Sequence, residues 1–387
     1  MAEIKTMNKI AQQGLDVLAK NGHVVNVDAE NPEGLLIRSA KLHDMEFGDR
    51  LLAIARAGVG TDNVPVDRCT EAGIAVFNTA GANAEAVKEL AICALMLTSR
   101  DIAGGIEWVR SIAGHDNVAA EVEKGKAAFV GPEICGKSLG IIGLGAIGSL
   151  VANAALSLGM TVWGYDPYLS VDAAWRLRSE VKHAADLDTI FRESDYLMVQ
   201  VHCNDETRGM INAAAISKMK PGVRIINLAR GELIDDNAML SALSCGKVAR
   251  YITDFPNNKL VGVSGVVATP HLGASTPESE DKCAVMAAEE LNDYLENGNL
   301  KNSVNLPNVS LARAGVCRLC VIHCNVPKML NRFLDLIAAQ NINVEHMINK
   351  SRGNVAYTII DAGAPLGPDI TDTIAAMEEV LRVRVLS

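Results

Sequence analysis

The sequence predicts an α/β protein built around a doubly wound parallel sheet, and three observations support this fold class. Short apolar segments alternate with amphipathic helical segments from Leu35 to Pro270, as expected for parallel strands joined by helices. A glycine-rich turn, Gly143–Gly148, directly follows one apolar segment. Hydrophobic residues make up 49% of the chain but aromatic residues only 4%, so the core is expected to consist mainly of aliphatic side chains.

The part of the chain before the glycine-rich turn begins with alternating strands and helices. Leu35–Ser39, Leu51–Ala57 and Ala75–Thr79 are apolar segments bounded by turns, and each predicts a strand. Helical periodicity predicts a long helix from Asn83 to about Ile102. A polar segment, Gly104–Gly136, separates this helix from the next predicted strand.

The apolar strand Ser138–Leu144 and the turn that follows it predict a dinucleotide-binding unit. The turn has the pattern Gly-x-Gly-x-x-Gly and is formed by Gly143, Gly145 and Gly148. The first glycine allows the tight turn, the second lets a pyrophosphate approach the backbone, and the third lets the following helix pack closely on the strand. The glycine pattern alone is weak evidence, but here it lies between a strand and a helix, as the function requires.

Residues after the turn favour NAD as the cofactor. The helix begins at Ala146 and Ile147, where free N–H groups and the helix dipole attract phosphate. The second strand, Thr161–Tyr165, ends at Asp166. A carboxylate at this position accepts hydrogen bonds from the ribose hydroxyls and repels a 2′-phosphate, so NAD is favoured over NADP. A membrane span is the alternative for this uncharged run, but the glycines and the strand–helix–strand order fit a dinucleotide unit better.

Two further regions complete the predicted fold. After the dinucleotide unit, more strands and a long helix are predicted, near Tyr196–His202, Val223–Ala229, Ala249–Thr253, Val266–Thr269 and Glu278–Glu296. Beyond Leu311 the order changes to βαββαβ, which predicts a small ferredoxin-like module. Its elements are predicted at Val316–Cys324, Pro327–Gln340, Val344–Lys350, Val355–Asp361, Ile370–Val380 and Arg382–Leu386.

Composition and charge argue against several classes of function. The net charge is −10 and the isoelectric point about 5.4, so no nucleic-acid partner is expected. Residues 1–9 lack the apolar core of a signal peptide, and no membrane attachment is expected. The nine cysteines are scattered, and we expect buried, unpaired thiols in a cytoplasmic protein.

One group of residues could suggest a metal site. Cys317, Cys320, His323 and Cys324 lie close together in the sequence. Their segment predicts a strand, in which alternate side chains point to opposite faces, so the four side chains are not expected to converge. No metal is therefore predicted.

Three polar residues follow consecutive predicted strands beyond the dinucleotide unit: Arg230, Asp254 and His271. In open parallel sheets, ligands bind beyond the carboxyl ends of the strands. Each residue alone is ordinary, but the set suits the oxidation of a 2-hydroxy acid. Imidazole can accept the hydroxyl proton near neutral pH, and arginine can bind a carboxylate bidentately. A carboxylate beside the histidine stabilises its protonated form and fixes its tautomer.

Five motifs occur in the order typical of one enzyme family. They are ARAGVGTDNV at Ala55–Val64, NTAGANAEAVKE at Asn78–Glu89, GKSLGIIGLGAIG at Gly136–Gly148, NLARGELID at Asn227–Asp235 and PHLGAST at Pro270–Thr276. Through these motifs the chain resembles the D-isomer-specific 2-hydroxyacid dehydrogenase family. The resemblance implies a Rossmann domain, residues 103–283, inserted into a flavodoxin-like substrate domain, residues 1–102 and 284–312. Residues 313–387 resemble an ACT regulatory domain.

The resemblance also implies roles for individual residues. His271 would be the acid/base and Arg230 would bind the substrate carboxylate. The residues implied to bind NAD, in addition to Asp166 and the start of the glycine-turn helix, are Gly143, Gly145, Gly148, His202, Ala229, Asp254 and Gly273. The residues implied to bind substrate are Arg56, Ala57, Gly58, Asn78, Arg230 and His271, with Arg56 directed to a phosphate group. The C-terminal module, which most sister enzymes of the family lack, is the main feature that favours the branch that oxidises D-3-phosphoglycerate.

The chain departs from the family at the histidine partner. The family has a glutamate two residues after the Phe-Pro of an Asp-Val-Phe-Pro-x-Glu segment, and Asn258 stands at that position here. Thr253 replaces the aspartate of the segment, and Asp254 is displaced by one residue. We therefore predict that Asp254 takes over one lost role, either as the partner of His271 or as the acceptor for the nicotinamide amide.

The C-terminal module departs as well. His323, Asn325 and Asn343 match residues that bind L-serine in serine-sensing relatives, but Lys328 replaces a glycine of the same loop. L-serine is therefore an expected effector, and the alternative is a module that mediates only subunit contacts. The family also implies a homodimer or homotetramer.

Two other functions stay open at this point. One is reduction of hydroxypyruvate or glyoxylate, which requires no cation for a phosphate. The other is a corepressor-like protein that binds NAD(H) without catalysis, to which the missing glutamate lends some weight.

Overall fold

The computed structural model describes residues 1–387, apart from the side chain of Asp172. The chain forms two compact units, residues 1–83 with 277–387 and residues 84–276. These boundaries differ from the predicted ones, because the helix that follows residue 83 belongs to the second unit. Its buried residues Ala91, Ala94 and Leu95 share an apolar cluster with Leu139 and Val151 of the dinucleotide-binding part. Residues 313–387 also do not form a third unit of their own.

The first segment of the chain forms a five-stranded parallel sheet. Its elements are β1 (Glu3–Met7), α1 (Gln12–Lys20), β2 (Val24–Val25), β3 (Gly34–Ile37), β4 (Ala53–Arg56), α2 (Val66–Glu71) and β5 (Ala75–Asn78). The strand order is β2-β1-β3-β4-β5 and all pairs are parallel. This is the flavodoxin-like order, so that part of the prediction is confirmed.

The middle segment forms a seven-stranded parallel sheet. It begins with α3 (Ala84–Ser99), α4 (Ile102–Ser111) and α5 (Val118–Gly125), and continues with β6 (Ser138–Ile142), α6 (Ala146–Ser157), β7 (Thr161–Tyr165), α7 (Val171–Ala174), β8 (Lys182–His183), α8 (Leu187–Glu193), β9 (Tyr196–Val199), α9 (Ala213–Lys218), β10 (Val223–Asn227), α10 (Asp236–Ser244), β11 (Val248–Thr253) and β12 (Val266–Ala268). The strand order is β12-β11-β10-β9-β6-β7-β8. The order reverses between β6 and β9, as in doubly wound dinucleotide-binding folds, and the predicted Rossmann sheet is confirmed.

The last segment begins with the long helix α11 (Pro277–Asn297), which packs on the first sheet. The βαββαβ module follows as β13 (Cys317–Cys324), α12 (Met329–Ala339), β14 (Val344–Arg352), β15 (Val355–Ala362), α13 (Pro368–Ala375) and β16 (Val380–Leu386). The sheet order is β14-β15-β13-β16, and its pairs are antiparallel. The ferredoxin-like topology of the module is confirmed.

Both faces of the module's sheet are covered. On one face, Leu319 and Val321 of β13 pack with Phe333 of α12. On the other face, Cys320 belongs to the apolar cluster that contains Leu291 of α11. Alternate residues of β13 therefore point to opposite faces, as predicted, and in the described part of the chain no three metal-ligating side chains converge.

A buried arginine joins the module to the segment that leads into it. Arg318 is 1% exposed and donates to both carboxylate oxygens of Asp361 at 2.6 and 2.7 Å. Its remaining N–H groups donate to the carbonyl oxygens of Asn297, Leu311 and Ala312 at 2.8–3.0 Å. All five guanidinium donors are thus satisfied, and residues 297–312 are tied to the first strand of the module.

Two remaining expectations concern cysteines and membranes. The cysteines are free thiols, but Cys93, Cys135 and Cys245 are exposed, so the prediction that they are all buried is wrong. None of the helices in the described chain is long and apolar enough to cross a bilayer.

Candidate active site

The glycine turn has the geometry that its three positions require. Gly143 has a φ of +94°, and a side chain there would overlap the Gln200 carbonyl oxygen. A Cβ on Gly148 would overlap the Gly143 carbonyl oxygen, so α6 can approach the turn only because Gly148 has no side chain. A Cβ on Gly145 would meet no atom within 4 Å, which leaves the space that a pyrophosphate needs.

The residues around the turn also suit a dinucleotide. Gly145 is the N-cap of α6 and no side chain caps this helix end, so its first N–H groups can bind phosphate. Asp166 follows β7 and is half-buried. Its two oxygens accept hydrogen bonds from the backbone N–H groups of Leu144 and Tyr168, both at 2.9 Å. The carboxylate is thereby held beside the turn, in the position predicted to face the ribose.

We expect two glycine substitutions at this turn to separate folding from cofactor binding. Gly145→Ala places its methyl group in open space and has an ordinary φ of −64°, so it should fold like the parent protein but bind NADH about tenfold or more weakly. Gly148→Ala forces a clash with the Gly143 carbonyl and should cost about 1–3 kcal/mol of unfolding free energy. Fluorescence titration with NADH and thermal unfolding measure the two effects. Equal NADH affinity of Gly145→Ala and parent protein would contradict this placement of the pyrophosphate.

Asp254 lies at the carboxyl end of β11 and is almost completely buried, at 1% exposed. Its Oδ2 accepts a hydrogen bond from the Gly273 N–H at 3.3 Å, and its Oδ1 is buried without a hydrogen-bond partner in the described protein. Burial raises the pKa of the Asp254 carboxyl, while the nearby His271 and Arg230 act to lower it. A buried carboxyl oxygen without a partner is costly, so this residue is suited to interaction with a ligand or a neighbouring cation.

The aromatic ring of Phe255 connects the other two polar residues. The His271 ring centroid lies 4.5 Å from that of Phe255, and the Arg230 guanidinium carbon lies 5.6 Å from the same centroid. His271 itself is exposed. The structure thus brings Arg230, Asp254 and His271 together beyond the carboxyl ends of β10, β11 and β12, as the sequence predicted. This side of the sheet is called the carboxyl edge.

Two residues that build this edge were not predicted. Phe255 is one, although its Phe-Pro context was visible next to Asp254. Asn227 is the other: it is fully buried, its Nδ2 donates to the Arg230 carbonyl oxygen at 2.8 Å, and its Oδ1 accepts from the N–H of Ala229 at 3.2 Å. These bonds fix the backbone that carries Arg230.

The positions that replace the family's segment differ in environment. Asn258 is exposed, whereas Thr253 is fully buried and accepts a hydrogen bond from the Phe255 N–H at 3.0 Å. His202, predicted to bind NAD, is exposed after β9, and its carbonyl oxygen accepts from Thr207 Oγ1 at 2.6 Å. Asn258, which stands in place of the family's glutamate, is thus exposed, whereas the carboxyl group of Asp254, four residues earlier, is buried.

The predicted substrate residues of the other unit lie at the carboxyl ends of β4 and β5. Arg56 ends β4, and its Nε donates to Asn63 Oδ1 at 3.0 Å. The loop after β4 is tied to the end of β5, because the Asn78 side chain donates to the Val59 carbonyl at 2.7 Å and the Thr79 N–H donates to the Gly58 carbonyl at 3.1 Å. The loop after β4, which contains Ala57 and Gly58, is thus held against the end of β5, where Asn78 lies. Arg56 directly precedes this loop.

The C-terminal residues predicted to bind an effector differ in accessibility. His323 is buried, and its ring nitrogens contact the Cys324 carbonyl oxygen and Thr358 Oγ1, both at 2.8 Å. Burial lowers the pKa of the His323 imidazole. Asn325 is exposed, and its side chain donates to the Gly353 carbonyl at 3.2 Å. The position of His323 suits a structural role better than direct contact with an effector.

The remaining residues of this loop region are more accessible. Asn343 is exposed and donates to Glu345 Oε1 at 3.0 Å. Lys328 has a φ of +72°, a conformation that favours glycine. This backbone conformation explains why a glycine is suited to the position that Lys328 occupies.

The chain has two compact units, each with a parallel sheet, and the second unit carries the glycine turn and the polar strand ends. These features together define a dinucleotide-binding protein. Residues 95–273 match the model of the NAD-binding domain of the D-isomer specific 2-hydroxyacid dehydrogenases. The chain belongs to the D-isomer-specific 2-hydroxyacid dehydrogenase family, and its NAD-binding domain is the Rossmann unit described above.

Individual relatives agree with this assignment. The chain is 33% identical over 332 residues to the D-3-phosphoglycerate dehydrogenase of Synechocystis sp., across 80% of this chain and 57% of that protein. It is 38% identical over 269 residues to the hydroxypyruvate reductase of Thermotoga maritima, across 66% of this chain and 83% of that protein. The NAD⁺-bound 3-phosphoglycerate dehydrogenase of Entamoeba histolytica has a similar structure, with a TM-score of 0.62 and 25% identity over 79% of this chain and 98% of that one. The chain spans little more than half the length of the first of these relatives.

Proposed function

We propose that this protein oxidises D-3-phosphoglycerate to 3-phosphohydroxypyruvate with NAD⁺. The observation that carries the proposal is the meeting of Arg230, Asp254 and His271 at one sheet edge, in the unit that also carries the glycine turn. The similarity to relatives named D-3-phosphoglycerate dehydrogenase supports the choice of substrate. When bound, NAD⁺ supplies the acceptor for the hydride that leaves C2 of the acid.

The protein's residues have separate tasks in this mechanism. Arg230 binds the substrate carboxylate and orients C2, and His271 takes the proton of the C2 hydroxyl as the C–O bond becomes a carbonyl. The buried negative charge of Asp254 stabilises the imidazolium that forms on His271. Arg56 binds the phosphate group of the substrate, which is the task that distinguishes this acid from glycerate.

The direct test is NADH formation with D-3-phosphoglycerate, compared with unphosphorylated D-glycerate, each with and without L-serine. Turnover of the phosphorylated acid alone would support the proposal. The Arg56→Ala variant should then lose most of the preference for the phosphorylated acid.

Inhibition by L-serine would support an ACT-type regulatory role for residues 313–387, and its absence would favour a module with structural contacts only. NADH binding without turnover of any acid would favour the corepressor-like alternative.

A second candidate is reduction of hydroxypyruvate. The relative from Thermotoga maritima that bears this name aligns over 83% of its length, which favours this candidate specifically. NADH consumption with hydroxypyruvate, unchanged in Arg56→Ala, would support it over oxidation of the phosphorylated acid.

We expect Asp254→Asn to slow oxidation. The neutral side chain no longer stabilises the imidazolium that His271 forms in the reaction, so kcat at neutral pH should fall. Steady-state NADH formation measures kcat. Asn258→Ala, at the exposed position, is the matched control and should leave kcat unchanged. An unchanged kcat in Asp254→Asn would remove this residue from the mechanism.

Assembly into a homodimer or homotetramer also stays a proposal. Helix α4 supports it, because Ile102, Ile106 and Val109 are 38%, 49% and 47% exposed along its length. Sedimentation velocity measures the assembly directly.

A further inference from the structure

A cavity of about 150 Å³ lies at the amino ends of three neighbouring strands of the seven-stranded sheet. Lys137 precedes β6, Asp195 precedes β9, and Lys220 and Arg224 flank the start of β10. These strands are adjacent, because β9 pairs with both β6 and β10. We call this side of the sheet the amino edge. A strand of five residues is about 16 Å long, so the cavity is separate from the carboxyl edge.

The lining of the cavity carries more positive than negative charge. Lys137, Lys220 and Arg224 are cationic. Asp195 is the one carboxylate among the described residues of the lining. Burial raises the pKa of the Asp195 carboxyl, but hydrogen bonds from Ser138 and Lys220 outweigh burial, and the pKa is lowered. Asp195 is therefore ionised at neutral pH, and the lining has a surplus of two positive charges.

Asp195 is already paired with one of the three cations. Lys220 Nζ donates to Asp195 Oδ1 at 3.0 Å and to Ser138 Oγ at 3.3 Å. The Ser138 N–H donates to Asp195 Oδ2 at 2.8 Å. This pair is close to neutral as a whole, so the surplus charge belongs to Lys137 and Arg224.

Arg224 is held at the wall of the cavity by neutral groups. Its Nε donates to the Thr98 carbonyl oxygen at 2.9 Å, and its Nη1 donates to the Gly222 carbonyl oxygen at 3.3 Å. The guanidinium carbon lies 5.6 Å from the ring centroid of Tyr196. Neither carbonyl cancels the charge of the guanidinium. Because the group is already oriented, it loses little further freedom when it binds an anion.

The charge and size of the cavity indicate the chemical class of its ligand. A phosphate group carries a charge of about −1.5 to −2 at pH 7, which matches the surplus of two positive charges. A single carboxylate would leave one of these charges without a partner. The volume of about 150 Å³ is the space that about five molecules of liquid water occupy, which is enough for one phosphate group.

We propose that the amino edge contains an anion site in which Arg224 and Lys137 bind the phosphate group of a small molecule, with Lys220 beside it. Lys137 is exposed and the Lys220 side chain is 38% exposed, so the ligand enters from solvent. The residues of this site take no part in the chemistry proposed for the carboxyl edge, and the inference stands independently of the proposed function. An anion that binds only the folded protein also stabilises residues 84–276.

The test measures the binding of inorganic phosphate to the full chain by isothermal titration calorimetry, at constant ionic strength with chloride as the other anion. Phosphate can also bind at the glycine turn and beside Arg56. NADH at saturation therefore occupies the turn, and every protein compared carries Arg56→Ala as the background. One saturable phosphate site per chain is expected. Absence of saturable binding would overturn the proposal.

Substitutions locate the bound phosphate. Arg224→Gln should weaken its binding about tenfold or more, because a charge-assisted hydrogen bond is lost. Lys137→Gln should weaken it about threefold, since this side chain is exposed. Lys218→Gln is the matched control: Lys218 pairs with Asp188 on the surface and does not line the cavity, so phosphate affinity should be unchanged. Equal losses in all three variants would indicate a diffuse effect of net charge and would overturn the site. Unchanged affinity in Arg224→Gln would do the same.

Thermal unfolding without phosphate checks that Arg224→Gln folds. If it does not, Arg224→Lys takes its place, because it keeps the charge but loses the planar fork, and its phosphate affinity should also be lower than that of the background. Phosphate should raise the unfolding midpoint of the background more than that of either variant. An equal rise in all of these proteins would contradict binding at Arg224.

Two further ligands identify the source of the phosphate group. Glycerol 3-phosphate carries the group as an ester, and succinate tests whether carboxylates suffice. Competition between glycerol 3-phosphate and phosphate would identify an ester as the ligand, and binding of phosphate without such competition would identify the free ion. Succinate that binds as tightly as phosphate would overturn the assignment to a phosphate group.

Discussion

Replacing His271 with asparagine is expected to lower kcat for oxidation of the hydroxy acid by about 10²–10⁴-fold, the usual contribution of a general base. The side chain is exposed at the sheet edge and contacts the ring of Phe255. Asparagine can fill part of the same space but cannot accept the hydroxyl proton. Steady-state NADH formation measures the loss, and fluorescence titration should show that NADH affinity is nearly unchanged.

The control for this prediction is another exposed histidine of the same unit. His183 lies on β8, the far edge strand of the sheet, so His183→Asn should leave kcat unaffected. If His271→Asn retained more than a tenth of the parent turnover, a different group would have to accept the proton.

The largest effect on stability is expected from Asp361→Asn. Arg318 is 1% exposed and Asp361 is fully buried, so the substitution leaves a buried guanidinium without its counter-charge. Removal of one partner from such a pair costs about 3–5 kcal/mol of unfolding free energy. Because the chain has two compact units, denaturation should be followed by calorimetry, in which the transition of the unit that contains the module is expected to move to lower temperature.

The matched control is the ion pair between Arg332 and Glu379 in the same module. Its side chains are 41% and 36% exposed, so water screens the charges and Glu379→Gln should change the midpoint little. A shift in Asp361→Asn no larger than in this control would mean that the Arg318 hydrogen bonds to carbonyl oxygens suffice without the carboxylate.

Most of the fold could be predicted from the sequence because its strands are uniform apolar runs. β7 was predicted with its observed ends, Thr161–Tyr165, and β5 to within one residue. β1 was missed because its residues alternate in burial and include Glu3 and Lys5, so it does not form an apolar run. The unit boundary at residue 83 differs from the predicted domain boundary at residue 102, since helical periodicity does not reveal against which sheet a helix packs.

The candidate site was predictable where a residue type has few other uses. The glycine turn, Asp166 and the polar strand ends are of this kind. The burial of Arg318 was not predictable, because charged residues in a strand are expected to be exposed. It follows from contacts with segments distant in sequence, such as Asp361.

The discontinuous unit has a consequence for synthesis on the ribosome. Sheet β1–β5 is made first, yet the helix that covers it, α11, and the segment that pairs with its edge strand come after the whole of residues 84–276. At 5–20 residues per second, the early strands wait roughly 10–40 s for these partners. During that time β5 is an unpaired edge and the sheet's apolar face is uncovered, a state prone to aggregation. Exposure of the sheet β1–β5 during synthesis is therefore a direct consequence of the order in which its partner segments follow along the chain.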